Sequence, residues 1–124
     1  MKAIDRSSIV HVLGYAINGF AERDPKFRDA VLEELNPRGI DFLRSAATSC
    51  TGDSILMWGF SNTRQLTRTG ESLSDLVERK PIIKKALLRQ NLGKHALKGP
   101  ALIASSPHDD LIPHEQVRST AGAY

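Results

Sequence analysis

The sequence predicts a mainly α-helical fold with one short strand near its C-terminus, and three observations carry that reading. Apolar residues recur at helical spacing through most of residues 9–88, in runs separated by Pro, Gly and Asn. Aromatic residues make up 6% of the chain, so a core must come chiefly from Leu, Ile, Val and Ala, which suit helices. Pro100-Ala-Leu-Ile-Ala104 is the one segment that reads as a strand: short, apolar and followed by a polar turn.

Taken in order, Ser7 or Ser8 is placed to cap a first helix. Ile9, Val12, Leu13, Ala16, Ile17 and Phe20 form its apolar stripe, and His11, Asn18 and Glu22 fall on other faces. Asp24-Pro25 signals a second start, with Asp as cap and Pro at the first position; Phe27, Ala30, Val31 and Leu35 follow as its stripe. Asn36-Pro37-Arg38-Gly39 punctuates the chain, and Ile40, Leu43, Ala46 and Ala47 mark a third helix that ends in the small polar run 48–52. Residues 55–60 are apolar and short, and periodicity leaves open whether they are extended or one helical turn. Residues 61–70 read as a polar loop with a helical turn. A helix beginning near Gly70, Ser72 or Ser74 then runs through Leu73, Leu76 and Val77, breaks at Pro81, and resumes with Ile82, Ile83, Ala86, Leu87 and Leu88. Gly93 and Gly99 close that region, and a last helix is expected from His114 or Glu115. A single strand leaves its backbone donors and acceptors without neighbours, so the expectation is a piece of a larger α/β protein.

With 124 residues the chain suits one modest domain. Hydrophobic residues at 40% and charged residues at 25% exclude wholesale disorder. The net charge of +3 is unevenly spread. Arg79, Lys80, Lys84, Lys85, Arg89, Lys94 and Lys98 lie in a stretch without a carboxylate, a stripe that is either a solvated helix face or a surface for an anionic partner. No aromatic residue interleaves with it and no nucleic-acid motif accompanies it, which argues against a nucleic-acid partner. Cys50, the one cysteine, cannot form an internal disulfide, so it is either a free thiol, expected to be buried, or half of a bridge to something outside this sequence. The start MKAIDRSSIVHVLGYAINGF lacks the apolar core and cleavage site of a secretory signal, and no apolar run is long enough to cross a bilayer.

Three constellations invite chemistry. His108, Asp109, Asp110 and His114 offer metal ligands, but their spacing fits no template and Pro113 prevents one continuous helix from presenting both histidines, so no metal or cofactor is expected. Thr51-Gly52-Asp53-Ser54-Ile55 resembles the Gly-Asp-Ser block of GDSL-type esterases, with Ser54 as the nucleophile. That family's partner motif is Asp-x-x-His, whereas Asp110-x-x-x-His114 is one residue too long. Ser105, Ser106, His108 and Asp109 contain the letters of a serine triad, yet neighbours in one turn cannot align nucleophile, base and orienter.

Ala101 to Val117 gives a hydrophobic strand, a polar turn with Asp109-Asp110-Leu111-Ile112-Pro113, and a helix. It resembles the acid loop of α/β-hydrolases, in which Asp-x-x-[Ile/Val]-Pro carries the triad carboxylate just past a central strand. The resemblance places Asp109 in the acid position, leaves Asp110 as a neighbour, and makes His108 and His114 bystanders of the turn. The preceding stretches, Gly14 to Phe20, Asp24-Pro-Lys-Phe27, Leu35-Asn-Pro-Arg-Gly39 and the small-residue run to Cys50, are similar to the helical cap of secretory lipases.

By that resemblance residues 1–99 are a cap-like region, and residues 100–124 are the strand, acid loop and helix of the α/β-hydrolase core. The chain is then expected to be a lipase fragment holding the cap and Asp109 and inactive alone, because no Gly-x-Ser-x-Gly occurs in it and the catalytic His lies elsewhere. The resemblance implies a secreted enzyme of lipid catabolism acting on a lipid or ester substrate. Its isolated apolar cap faces are expected to favour self-association. The alternative from another class is a small helical binding module that uses its basic face.

Overall fold

The computed structural model describes residues 4–90, 95, 97–109, 112 and 114–124. Lys94 and Gly93 of the sequence reading, and Asp110, Leu111 and Pro113 of the acid motif, lie outside them. The chain divides into two compact units, residues 1–86 and 87–124. Seven α-helices are seen among the described residues: α1 (Val10–Arg23), α2 (Pro25–Glu34), α3 (Pro37–Thr48), α4 (Thr51–Trp58), α5 (Leu73–Arg79), α6 (Pro81–Leu88) and α7 (His114–Gly122). None of these is long and apolar enough to cross a membrane.

Local chemistry sets several boundaries of the first unit. The Asp24 carboxylate accepts from the Lys26 and Phe27 amides at 3.1 Å, and Pro25 opens α2 where a missing N–H costs nothing. Asn36 repeats the device for α3 with Pro37: its Oδ1 accepts from Gly39 N at 2.9 Å. Its Nδ2 donates to the carbonyls of Gln65 and Thr67, so the same cap ties α3 to the loop before α5. Ser72 caps α5, accepting from Asp75 N at 3.1 Å, and Pro81 separates α5 from α6 as expected.

The first helix departs from the reading at its cap and its face. Neither Ser7 nor Ser8 caps it; Ile9 stands at the cap position with no side-chain cap bond, and Ser7 O accepts from Val10 N and Phe60 N. Val10, His11 and Gly14 are buried, while Val12 is exposed. The helix is turned this way because Gly14 lets α3 come close: a Cβ there would meet the Ala46 Cβ at 2.7 Å and Phe42 Cζ at 3.1 Å. Asn18 on the same seam donates to Leu43 O at 2.8 Å. Phe42, 1% exposed, packs edge-on against Trp58 with ring centroids 5.2 Å apart, and with Phe27, Val31, Leu35, Leu66 and Leu76 it forms the core.

Residues 51–58 are a helix, α4, so Thr51 and Gly52 belong to it and not to the polar run after α3. Its inward face is Ser54 and Trp58, whereas Ile55, Leu56 and Met57, and Phe60 just beyond, are exposed. Cys50 precedes α4 and is exposed, not buried; its Sγ donates to Asp53 Oδ2 at 3.2 Å.

Three of the seven cations of the basic stripe are paired with carboxylates of the first unit. Arg79 pairs with Glu34 at 2.6 Å and with Glu71, Lys80 pairs with Glu34 at 2.5 Å, and Lys84 pairs with Glu78. The Arg79 guanidinium, with Lys80 helping at Glu34, holds both Glu34 and Glu71 below the ordinary carboxylate value. A lowered folded pKa means stability that is present above the unfolded value near 4.5 and is lost as the pH falls through the folded value. Thermal unfolding is therefore expected at progressively lower temperature as pH drops below about 4.5. Arg79→Ala is expected to flatten that dependence; an unchanged slope in a pH series of melting curves sinks this account.

No strand occurs among the described residues, so the strand expected at 100–104 is not seen. Ala101 to Ala104 are exposed, Leu102 at 94%, and make no ladder. The physical reason is the one anticipated for a lone strand: without a neighbouring edge its backbone groups gain nothing from strand geometry. The one isolated β-bridge among the described residues joins Leu35 to Thr67 in the first unit.

Candidate functional site

In the second unit, the described residues 105–109, 112 and 114 are linked by hydrogen bonds just before and at the start of α7. The Ser106 carbonyl accepts from Asp109 N at 3.2 Å, and the Ser106 hydroxyl accepts from His108 N at 3.1 Å, so Ser-Pro-His-Asp is a tight turn. Asp109 Oδ1 then accepts from Ile112 N at 3.0 Å, which carries the carboxylate to the far side of the turn and pins it there. Ser105 Oγ lies 2.7 Å from His114 Nδ1, joining the residue before the turn to the first residue of α7.

The sequence-predicted residues thus divide. Asp109 is exposed; its carboxylate accepts from Ile112 N, and its own N–H donates to Ser106 O. Asp110, its proposed neighbour, lies outside the described residues. His108 is exposed and held by its backbone. His114, read as a bystander, is half-buried and bonded to Ser105, a contact that no local sequence signal announces. Among the described residues no group of three or more His, Cys, Asp or Glu gathers to hold a metal ion.

Ser54, the candidate of the GDSL resemblance, lies in the first unit on α4. It is 1% exposed, and its Oγ has no hydrogen-bond partner among the described residues. A serine nucleophile needs a base within hydrogen-bond reach and a path for substrate, and among the described residues Ser54 has no such base and is buried. A buried hydroxyl without a partner carries an uncompensated desolvation cost. Ser54→Ala is therefore expected to stabilise the chain by up to about 1 kcal/mol in urea unfolding. A loss of more than about 1 kcal/mol would show that the hydroxyl makes a bond of its own.

A polar cavity of about 270 Å³ also opens in the first unit, lined by Asp5, Arg6, Asn62, Arg64, Ser72 and Asp75. Its charged groups balance in sign, and Arg64 is paired with Asp75 at 3.6 Å. Asp5 is committed to structure: its Oδ1 accepts from Thr63 Oγ1 at 2.5 Å and from Ser74 N at 3.4 Å. The Ser72 hydroxyl, which also lines it, donates to Asp75 Oδ2 at 2.9 Å and accepts from Asp75 N at 3.1 Å, so this buried serine is engaged in capping α5.

The fold and the loop can be set beside known proteins. No curated protein and no solved structure matches the chain. The family model described as secretory lipase matches residues 1–124, the whole length given. A loop built around Asp109 of Asp-x-x-Ile-Pro, on a chain matched from end to end, therefore has one family context: the chain belongs to the secretory lipase family.

Proposed function

We propose that this chain is the cap and acid-loop segment of a secreted, triacylglycerol lipase-type serine hydrolase, with Asp109 as the acid of its triad. The observation that carries the reading is the bond from Ile112 N to Asp109 Oδ1 within the family motif. A triad acid must present its carboxylate in one orientation, accept a hydrogen bond from the catalytic histidine, and stabilise the imidazolium that forms as the nucleophile is deprotonated. Backbone donors suit this task because they restrain the carboxylate without supplying a competing cation. No Lys or Arg lies between Ser105 and Glu115, so nothing in the loop's own sequence would neutralise the charge on which the histidine depends.

The exposed 101–104 segment fits the same reading. In a complete enzyme it would be a strand of the central sheet, and Leu102 and Ile103 would be covered there. The helices of residues 1–86 would stand as the cap over the acyl site, with Leu56, Met57 and Phe60 supplying apolar surface on the side of the lipid or ester substrate. The basic-module reading is weakened, because three of its cations are already spent on Glu34, Glu71 and Glu78.

Two measurements test the proposal together. The 124-residue chain alone is expected to show no detectable hydrolysis of short-chain p-nitrophenyl esters, and Asp109→Asn is expected to disable the complete lipase. Turnover by the chain alone that disappears on Ser54→Ala would overturn the reading in favour of the GDSL-type alternative.

A further inference from the structure

We propose that the polar cavity of the first unit binds a small zwitterion, a molecule of the amino-acid class that carries an ammonium and a carboxylate on one short frame. The cavity lies wholly within residues 1–86, so it stands or falls apart from the acid role of Asp109.

Three separate segments supply its lining. Asp5 and Arg6 come from the 3-10 turn Ile4–Arg6, Asn62 and Arg64 from the cap and body of the 3-10 turn Thr63–Gln65, and Ser72 and Asp75 from the start of α5. Asp5 is buried and fixed: Thr63 Oγ1 and Ser74 N both donate to its Oδ1, and Thr63 Oγ1 in turn accepts from Leu73 N at 3.2 Å. That engages one carboxylate oxygen of two. Oδ2 bonds to nothing among the described residues and, unlike Ser74 Oγ, is not sealed inside the unit. A polar atom held in that way calls for a donor from outside the chain.

The other charges of the lining are also left with bonds to make. Arg6 has no hydrogen bond or ion pair among the described residues, although Asp5 and Asp75 line the same cavity. Arg64 meets Asp75 at 3.6 Å, a long contact between half-exposed side chains and therefore a weak one. Asp75 uses Oδ2 for the Ser72 hydroxyl, and Asn62 uses Oδ1 for Arg64 N, which leaves Asp75 Oδ1 and Asn62 Nδ2 unengaged.

These groups define the ligand. A cation alone would be opposed by Arg6 and Arg64, and an anion alone by Asp5 and Asp75. A zwitterion avoids both conflicts: its ammonium donates to the two carboxylates, and its carboxylate accepts from Arg6 and Asn62 in charge-assisted bonds. The volume of about 270 Å³ falls just below that of pockets for drug-sized molecules and suits a small one. Among the described residues no apolar side chain lines the cavity, so it is no place for an acyl chain.

The test titrates the ¹⁵N-labelled 124-residue chain with L-alanine and, separately, with propionate, ethylammonium and glycerol, following backbone amide shifts. L-Alanine is expected to move the amides of Asp5, Arg6, Asn62 and Asp75 saturably. Propionate and ethylammonium, each lacking one charge, are expected to bind at least about tenfold more weakly, because a hydrogen bond to a charged group is worth that factor or more. Glycerol is expected to give no saturable shift. Arg6→Ala removes no bond within the described residues, so it is expected to melt like the wild type, to bind L-alanine at least about tenfold more weakly, and to leave ethylammonium binding unchanged. Asp5→Asn keeps an oxygen for Thr63 and Ser74 and is expected to weaken L-alanine and ethylammonium together. The absence of a saturable shift with L-alanine overturns the site. Propionate, ethylammonium or glycerol binding as tightly as L-alanine overturns the zwitterion, as does wild-type affinity in Arg6→Ala, which decides the matter even where Asp5→Asn fails to fold.

Discussion

Asp109→Asn in the complete lipase is expected to lower kcat by about a thousandfold to ten-thousandfold, with KM little changed. The size follows from the acid role proposed for Asp109. An Asn amide cannot hold the histidine in the tautomer that accepts the nucleophile's proton, and it offers no charge to the imidazolium; loss of both in a serine triad is worth about four orders of magnitude. An effect confined to kcat identifies an interaction made in the transition state and not in substrate binding. The substitution is nearly isosteric, and the Asn oxygen still accepts from Ile112 N in place of Asp109 Oδ1, so the turn itself is expected to persist. That separates chemistry from folding: the variant should melt like the wild type while its turnover collapses. Asp110→Asn is the matched control and is expected to keep most of the activity. If both variants were equally active, the acid would have to come from elsewhere in the enzyme.

What could be read in advance divides along the reach of the interactions. The start of α2 was legible in Asp24-Pro25, because a cap acts within three residues of itself; Asn36-Pro37 showed only as punctuation before α3, and Ser72 was one of three candidate starts for α5. The face of α1 was not. Its orientation depends on Gly14 nesting against Ala46 and Phe42, and a pattern of apolar residues cannot show that the smallest residue marks the contact. The helical state of 51–58 was hidden for a related reason: its inward residues are Ser54 and Trp58, while the apolar Ile55, Leu56 and Met57 face outward and erase the period. The basic stripe looked unopposed because the carboxylates that meet it, Glu34 and Glu71, lie outside its own stretch of sequence. At the site, Asp109 stood out as a motif, whereas the Ser105 to His114 bond joins residues nine apart across an intervening turn and has no motif.

Phe42→Ala is expected to cost residues 1–86 about 3–5 kcal/mol, a substantial share of their stability. Phe42 is 1% exposed where α1, α3 and α4 converge: its ring lies against Gly14 and packs edge-on to Trp58 at 5.2 Å. Truncating a buried Phe to Ala removes its transfer free energy and leaves a cavity, a combined cost of about 3–5 kcal/mol. This cavity cannot easily collapse. Gly14 has no side chain to advance into it, and Trp58 is held in place by its Nε1 donating to Ser45 Oγ at 3.0 Å. Against that loss, a unit of 86 residues has a total stability of about 4–13 kcal/mol at the usual yield per residue. The substitution therefore consumes about a quarter of the whole at the favourable end and nearly all of it at the other. Trp58, the chain's one tryptophan, reports the change directly by its fluorescence during urea unfolding. Phe42→Leu keeps most of the volume and is expected to cost less than about 1.5 kcal/mol. If Phe42→Ala cost no more than Phe42→Leu, the seam of α1, α3 and α4 would not be the centre of this core, and the helices of residues 1–86 would draw their stability from other contacts.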